Sequence, residues 1–335
     1  MINLSTPHVQ FALDAVRRAC TLAQRIQTEL VVEGVSKSDM SPVTVADYAI
    51  QALVAQALDA AMSGEVLVGE ESARDLRTPE SAAMCGLLLD YVGREVPGAT
   101  VDSICDWIDR GTGEPGKRFW TLDPVDGTKG YLRGEQYAVA LALIEHGQVQ
   151  FGVLGCPNLG EDFNGEAVGG GVLLVAQRGE GAWATALAGP ADFLRVQVSA
   201  CAEARQARIM RSVEAAHTNV DEVDHIAQHL GIEAAPVRMD SQAKYAVLAS
   251  GGGEMLFRLL SPKRPDYKER IWDQAAGSIV LEEAGGRITD LYGRPLDFSQ
   301  GRGLEKNTGV LATNGVLHEA GLEAIRAVCK LPAKP

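Results

Sequence analysis

The chain has 335 residues, 46% of them hydrophobic and 22% charged, which allows a large buried core and gives length enough for two domains. A formal net charge of −13 argues against general nucleic-acid or anionic-membrane binding, which needs a basic surface, but not against a phosphorylated ligand, because bound cations reverse the local sign. The six cysteines form no CxxC pair and suggest no zinc site, no apolar run is long enough to span a bilayer, and the opening MINLSTPHVQFALDAVRRAC lacks the apolar stretch of a signal peptide, so a soluble cytoplasmic enzyme with reduced thiols is expected.

Helical spacing runs through 8–29, where Val9, Leu13, Val16, Cys20 and Ala23 recur every three or four positions, and again through 45–62 with Val45, Ala49, Leu53 and Leu58. Between them the polar SKSDMSPVTVAD reads as a loop or hairpin, with Thr44 and Asp47 at the entry to the second helix. Further helical pieces are expected at 79–95 and 101–110. From Phe119 the pattern changes to short apolar or alternating runs, WTLD, YAVALALI, VQFGVLGCP and GVLLVAQ, which read as strands. EHGQ at 145–148 looks like a hairpin turn, and 159–171 like a polar, glycine-rich surface loop. GAWATALAGPADF at 181–193 carries turn signals that suggest a domain boundary, giving expected domains of 1–190 and 191–335. Beyond about residue 198, strands and helices alternate (RIMRS, 218–230, 241–250, EMLFRL, 272–284, RITD, GVLAT and a helix from 315), a mixed α/β pattern.

The chemistry concentrates in RFWTLDPVDGTKGYLRGEQYAVALAL, residues 118–143. Asp123 and Asp126 stand at the end of an apolar strand with Pro124 stiffening the turn between them, and Gly127 lets the backbone approach a ligand closely. Two carboxylates so placed suit a hard cation such as Mg2+, which takes oxygen ligands and shares them with substrate phosphate. Alone, DPxDGT reads equally well as an ordinary turn. Acids recur, however, at the ends of two more elements: Glu70 and Glu71 after the apolar run in VLVGEES, and Asp273 at the start of the helix in IWDQAAGSIVLEEAGG.

GEES, DPVDGT and WDQAAG…EAGG resemble the three signatures of the inositol monophosphatase superfamily of metal-dependent, lithium-sensitive phosphatases. Within it, SPVTVADYAIQ at 41–51, FWTLDPVDGTKGYLRGEQYAVALAL, SVEAAH at 212–217 and MDSQAKYAVLASG at 239–251 are most similar to the 3'(2'),5'-bisphosphate nucleotidases, a likeness that spans nearly the whole chain. The resemblance implies a layered αβαβα sandwich with the metal site between two domains. It implies two or three Mg2+ ions. Glu70, Asp123 and the Val125 carbonyl would hold one, Asp123, Asp126 and Asp273 a second, and a weaker third would sit near Glu70. Glu71 either supports these ligands or is a helix-start acid favoured by the dipole.

Gly127 and Thr128 would present N–H groups to phosphate. In this family a threonine at the position of Thr128 orients the attacking water and pairs with an acid of the early helix, here Asp47; the plainer alternative is a turn hydroxyl and a helix cap. His217, Ser241, Lys244 and Arg258 match positions that contact nucleotide. Lys244 and Arg258 suit the phosphate that is not cleaved, Ser241 a phosphate or base, and His217 adenine. Their plainer alternatives are a solvated helix face, a strand edge and a surface loop. The cations of SPKRPDYKER at 261–270 either attract an anionic substrate or decorate a loop, and Trp272 is expected to pack beside the metal loop. Asp221, His225 and His229 share one helix face that is expected to be solvent-facing. Tyr131 departs from the phenylalanine that many relatives carry after GTKG.

The implied activity is conversion of adenosine 3',5'-bisphosphate to AMP and phosphate, extending to 3'-phosphoadenosine 5'-phosphosulfate. A phosphatase for inositol phosphates or a sugar bisphosphate is the alternative enzyme, and a catalytically silent nucleotide sensor the alternative of another class. The implied partner is a small phosphorylated nucleotide, with no nucleic acid and no membrane.

Overall fold

The computed structural model describes residues 2–32, 42–163, 170–189, 192–213 and 220–331. Helix α1 spans Pro7–Ile26, starting on a proline whose missing N–H costs nothing in a first turn, and runs on through a π-helical stretch, Gln27–Val32. Helix α2 spans Pro42–Ala61 and packs along α1. The stripe Val9, Val16, Cys20 and Ala23 is buried together with Val45, Ala49, Leu53 and Leu58 of α2. After α2 come β1 (Leu67–Gly69), α3 (Ala82–Glu95) and α4 (Val101–Asp109), the last opened by a capping box in which Thr100 and Ser103 exchange hydrogen bonds.

Seven strands then make one sheet in sequential order: β1, β2 (Arg118–Asp126), β3 (Ala138–Glu145), β4 (Gln148–Cys156), β5 (Val172–Gln177), β6 (Gly181–Ala186) and β7 (Leu194–Val196). Only the β1–β2 pair is parallel; the other pairs are antiparallel. The β3–β4 hairpin turns on His146 and Gly147, both at positive φ (50° and 75°), as the EHGQ reading expects. Strand β3 shows why its sequence is apolar without a break. Val139, Leu141 and Leu143 face the α1–α2 layer, while Ala138, Ala140 and Ala142 face a second helical layer. Small residues line that second face because α8 (Ala275–Glu283) lies close: a Cβ on Gly152 of β4 would sit 2.5 Å from Ile279 Cγ2.

A second sheet has the order β11 (Arg287–Thr289), β12 (Val310–Thr313), β10 (Met255–Arg258), β8 (Ile209–Arg211), β9 (Val237–Arg238). Helix α7 (Ala243–Ala249) and α8 pack together between the two sheets, and α6 (Val220–His229) and α9 (His318–Val328) build a further apolar cluster with the second sheet. The layers are therefore helix, sheet, helix, sheet, helix, the αβαβα sandwich that the resemblance implies. One stretch differs from its sequence reading. The 181–193 segment, read as turn-rich, contains β6, paired to β5 on one side and β7 on the other. Its alternation is carried by Ala182 and Ala184, too small to stand out as a strand signal. Among the described residues no helix is long and apolar enough to cross a membrane.

Candidate active site

The site begins with an irregularity in β2. Asp123 pairs with Ala140 of β3, but Asp126 pairs with Ala138, so three steps on β2 match two on β3. Strand residues three apart ordinarily face opposite ways; one extra residue brings the second back to the face of the first. Pro124 fits inside this bulge because it has no N–H to give the ladder. Asp123 and Asp126 consequently line the same cavity, about 330 Å³, together with Glu70, Val125, Gly127, Thr128, Lys129 and Asp273. Glu70 arrives from the end of β1 and Asp273 from the segment leading into α8.

Gly127 is required twice over. Its φ is +94°, and a Cβ there would lie 2.8 Å from Ser241 Cβ. The chain then enters α5 (Thr128–Arg133), whose first amides have no intrahelical acceptor. Tyr131, the departure from the family pattern, is fully buried, and its hydroxyl donates to the Ala23 carbonyl of α1 at 2.9 Å. The extra phenol oxygen ties α5 to the first helix and leaves the cavity lining alone.

Electrostatically the wall is under strain. Burial, then Glu70, Asp126, Asp273 and Asp47, pushes the Asp123 carboxyl well above the usual carboxylate range. Burial, then Glu71 and Asp126, pushes Glu70 up to about 7. Asp273 and Asp126 are also raised, again by burial first, with Arg258 pulling each of them back. Asp47 is raised by burial, then by Glu71 and Glu70. One oxygen of Asp123, Oδ1, is buried with no hydrogen-bond partner among the described residues. Orphaned buried carboxylate oxygens are costly and rare.

These donors are oxygens, crowded and anionic, and that is the set a hard divalent cation selects. The residues therefore fit Mg2+. Among the described residues no three His, Cys, Asp or Glu side chains have closed into a finished cage. Asp126 Oδ2 accepts from the Gln242 amide at 2.6 Å.

The opposite wall comes from the second half of the chain: Ser212, Asp240, Ser241, Lys244, Arg258 and Tyr267. Ser241 sits at φ +68°, and its hydroxyl accepts from the Ala243 amide at 3.1 Å. Lys244 is buried and donates to Ser212 Oγ at 2.8 Å; burial, then Arg258, pushes it down to about 8. Arg258 pairs with Glu269 Oε2 at 2.6 Å through one nitrogen, while its Nε is buried without a partner among the described residues. Lys244 and Arg258 thus do not occupy the solvated helix face and strand edge of their plainer alternatives.

Glu70, Asp123, Val125, Asp126, Gly127, Thr128, Ser241, Lys244, Arg258 and Asp273 share the cavity. Asp47 is coupled to Asp123 through charge, but among the described residues no hydrogen bond joins it to Thr128, whose side chain is exposed. His217 lies outside the described residues. Glu71 is held by its backbone, whose N–H reaches Gln51 Oε1 at 3.0 Å. Asp221, His225 and His229 are exposed, as expected. Trp272 is buried beside the site, with the Arg302 guanidinium 5.0 Å from its ring centre. Sequence reasoning passed over Ser212, Asp240 and Tyr267, which lie inside the singled-out SVEAAH, MDSQAKYAVLASG and SPKRPDYKER but carry no local signal of their own.

The inositol monophosphatase family model matches residues 5–329. A "3'(2'),5'-bisphosphate nucleotidase" of Schizosaccharomyces pombe is 38% identical over 338 residues, 95% of each chain. A protein of the same name from Emericella nidulans is 40% identical over 343 residues, 95% of this chain and 97% of its own. Among solved structures, the Thermotoga maritima IMPase superposes with a TM-score of 0.63 at 18% identity, covering 96% of this chain and 98% of its own, a likeness of fold. With the bulged carboxylate strand, the five-layer fold and the family match agreeing along nearly its full length, the chain belongs to the inositol monophosphatase family.

Proposed function

We propose that the chain is a Mg2+-dependent 3'(2'),5'-bisphosphate nucleotidase, a phosphoric monoester hydrolase that removes the 3'-phosphate of adenosine 3',5'-bisphosphate to leave AMP, and that acts also on 3'-phosphoadenosine 5'-phosphosulfate. The observation that carries this reading is one cavity in which the carboxylates of Glu70, Asp123, Asp126 and Asp273 meet two cations from the second half of the chain, buried Lys244 and half-buried Arg258. An acid wall alone would serve any phosphate monoester. A second, cationic wall suits a substrate with a further anionic group. At about 330 Å³ the space is of small-ligand size. The names of the relatives from Schizosaccharomyces pombe and Emericella nidulans point the same way.

Glu70, Asp123, Asp126, Asp273 and the Val125 carbonyl would hold two or three Mg2+ ions, with Asp123 shared. Bound there, Mg2+ supplies neutralisation of the charge that develops on the transferred phosphoryl group and on the leaving oxygen. The chain's own residues do the rest. Gly127 leaves room for the reacting phosphate close to the backbone, and Thr128 orients the attacking water through its hydroxyl. Asp47 would accept from that hydroxyl and fix its direction. Lys244 and Arg258, the latter through its unpaired Nε, hold the phosphate that stays. Ser241 and His217 take the nucleoside.

The test is the ratio kcat/KM across adenosine 3',5'-bisphosphate, its 5'-phosphosulfate relative, inositol 1,4-bisphosphate, inositol 1-phosphate and fructose 1,6-bisphosphate with Mg2+. The adenosine compounds are expected to lead. Preference for an inositol or sugar phosphate would move the chain to that substrate class, and no phosphate release from any of them would make it a silent nucleotide sensor.

A further inference from the structure

Glu70 stands in the acidic wall; among the described residues no ion pair holds its side chain, and its backbone is gripped from both sides. After it, the side-chain amide of Gln51 takes both polar groups of Glu71: Nε2 donates to the Glu71 carbonyl at 2.7 Å and Oε1 accepts from the Glu71 N–H at 3.0 Å. The same Nε2 donates to the Ile108 carbonyl at 2.7 Å. Gln51 is completely buried on α2, one turn beyond Asp47, so these bonds are made without competition from water. Before it, Arg302 donates to the carbonyls of Gly69, Gly111 (3.2 Å) and Gly113 (3.3 Å) and lies across the Trp272 ring.

Two glycines make room for this grip. A Cβ on Gly69 would fall 2.4 Å from Gln51 Oε1, and one on Gly111 2.2 Å from Gln51 Nε2. The Gly69 N–H donates to the Gly111 carbonyl at 2.8 Å, so the amide is wedged against a backbone pair. A buried glutamine with three backbone bonds is far more constraint than α2 needs to pack, because α2 already has an apolar face.

We infer that Gln51 and Arg302 are positioning residues which, acting through the backbone on either side of Glu70, aim its carboxylate at Asp123 for divalent-cation binding. The inference rests on the reading of Glu70 as a metal ligand. Residues that orient metal ligands are typically worth on the order of ten- to hundredfold in metal affinity. Gln51→Met keeps length and apolar volume and removes all three bonds.

The experiment is calorimetric titration of the purified full chain with Mg2+ alone, on wild type, Gln51→Met and Glu70→Gln, alongside thermal melts without metal. Gln51→Met is expected to weaken the Mg2+ Kd about ten- to hundredfold, with KM for substrate at saturating Mg2+ unchanged. A lower metal-free Tm with an unchanged Mg2+ Kd would mean that Gln51 only supports the fold, and would overturn the inference. Should Gln51→Met fail to fold, Arg302→Gln carries the same expectation from the other side of Glu70, and an unchanged Kd there overturns it equally. If Glu70→Gln itself leaves Mg2+ affinity unaltered, the ligand reading of Glu70 fails; if Glu70→Gln weakens it and the Gln51 variant does not, only the clamp fails.

Discussion

Asp123, at the bulge of β2, and Asp290, just after β11, are both nearly sealed from solvent at 3% and 0% exposure, yet they live in opposite surroundings. Asp290, just after β11, accepts from the amides of Tyr292 (3.0 Å) and Arg294 (2.9 Å) and from the Arg294 guanidinium at 2.8 Å. Its charge is matched and its oxygens are used. Asp123 faces Glu70, Asp126, Asp273 and Asp47, and one of its oxygens has no donor among the described residues. A fold tolerates an unmatched buried carboxylate only where something other than stability keeps it. One aspartate holds a loop together; the other, on the function proposed above, is kept for a metal ion.

The sharpest way to break this contrast is to neutralise each in turn. Asp123→Asn should cost several kcal/mol of transition-state stabilisation, about a thousandfold or more in kcat, while the metal-free Tm holds or rises because repulsion is relieved. Asp290→Asn should do the reverse: stability falls by about 2 kcal/mol, since charge-assisted hydrogen bonds from the partly exposed Arg294 and from two amides are weakened, and kcat of the folded protein is kept. Chemical denaturation and steady-state kinetics read both. Two variants that lose stability alike, or activity alike, would erase the distinction.

Next in size is the proposed water-orienting pair. Thr128→Ala and Asp47→Asn should each lower kcat on the order of a hundredfold or more with a smaller change in KM. If the two act as a unit, the double variant is little worse than either single. Multiplying losses would return Asp47 to the role of a helix residue whose charge merely adds to the cluster.

A smaller effect should separate the cationic wall from the acidic one. Lys244→Ala should raise KM for the bisphosphate roughly tenfold, about 1.4 kcal/mol, and raise it less for a monophosphate, because a cation facing a non-reacting group supplies uniform binding. Lys244 is held down to about 8, so the lysine of the free protein loses its proton as pH climbs through that value. KM of the wild type should rise across that window and that of Lys244→Ala should stay flatter. Identical pH profiles would remove Lys244 from substrate contact.

The smallest effect belongs to the matched side of the molecule. His318 is buried between Thr289 and Thr313, 2.9 and 3.0 Å from its two ring nitrogens, and burial, then Arg287, pushes it down to about 4. Its folded pKa lies below the unfolded value of 6.5, so the neutral ring is the stabilised form. Its contribution is full above about 6.5 and is lost as pH falls from there toward 4. The difference between wild-type and His318→Phe stability should therefore shrink over that window, as read by urea denaturation at several pH values. A pH-independent difference would contradict the assignment.

The acidic wall was legible in the sequence because its chemistry is local: Asp123, Pro124, Asp126 and Gly127 sit within five positions, and acids that end apolar runs are few. The five-layer order was legible through the resemblance and through α1, α2 and β3, whose patterns are long. What could not be read is held by distant backbone. Gln51 looks like any helix glutamine until Glu71 and Ile108, 20 and 57 positions away, close on it. Arg302 reaches Gly69 across 233 positions. Strand β6 was hidden by alanines, and the pairing of Arg258 with Glu269 by a loop of unremarkable charge. The bulge that puts Asp123 and Asp126 on one face needs the β3 register to be seen.

The central claim, that this carboxylate cavity serves removal of the 3'-phosphate with Mg2+, is tested most directly by following adenosine 3',5'-bisphosphate with the purified protein by phosphorus NMR. The account predicts that the 3'-phosphate resonance disappears into inorganic phosphate while the 5'-phosphate of AMP persists, and that excess chelator stops the conversion. Loss of the 5'-phosphate first, or undiminished turnover after exhaustive chelation, would contradict it.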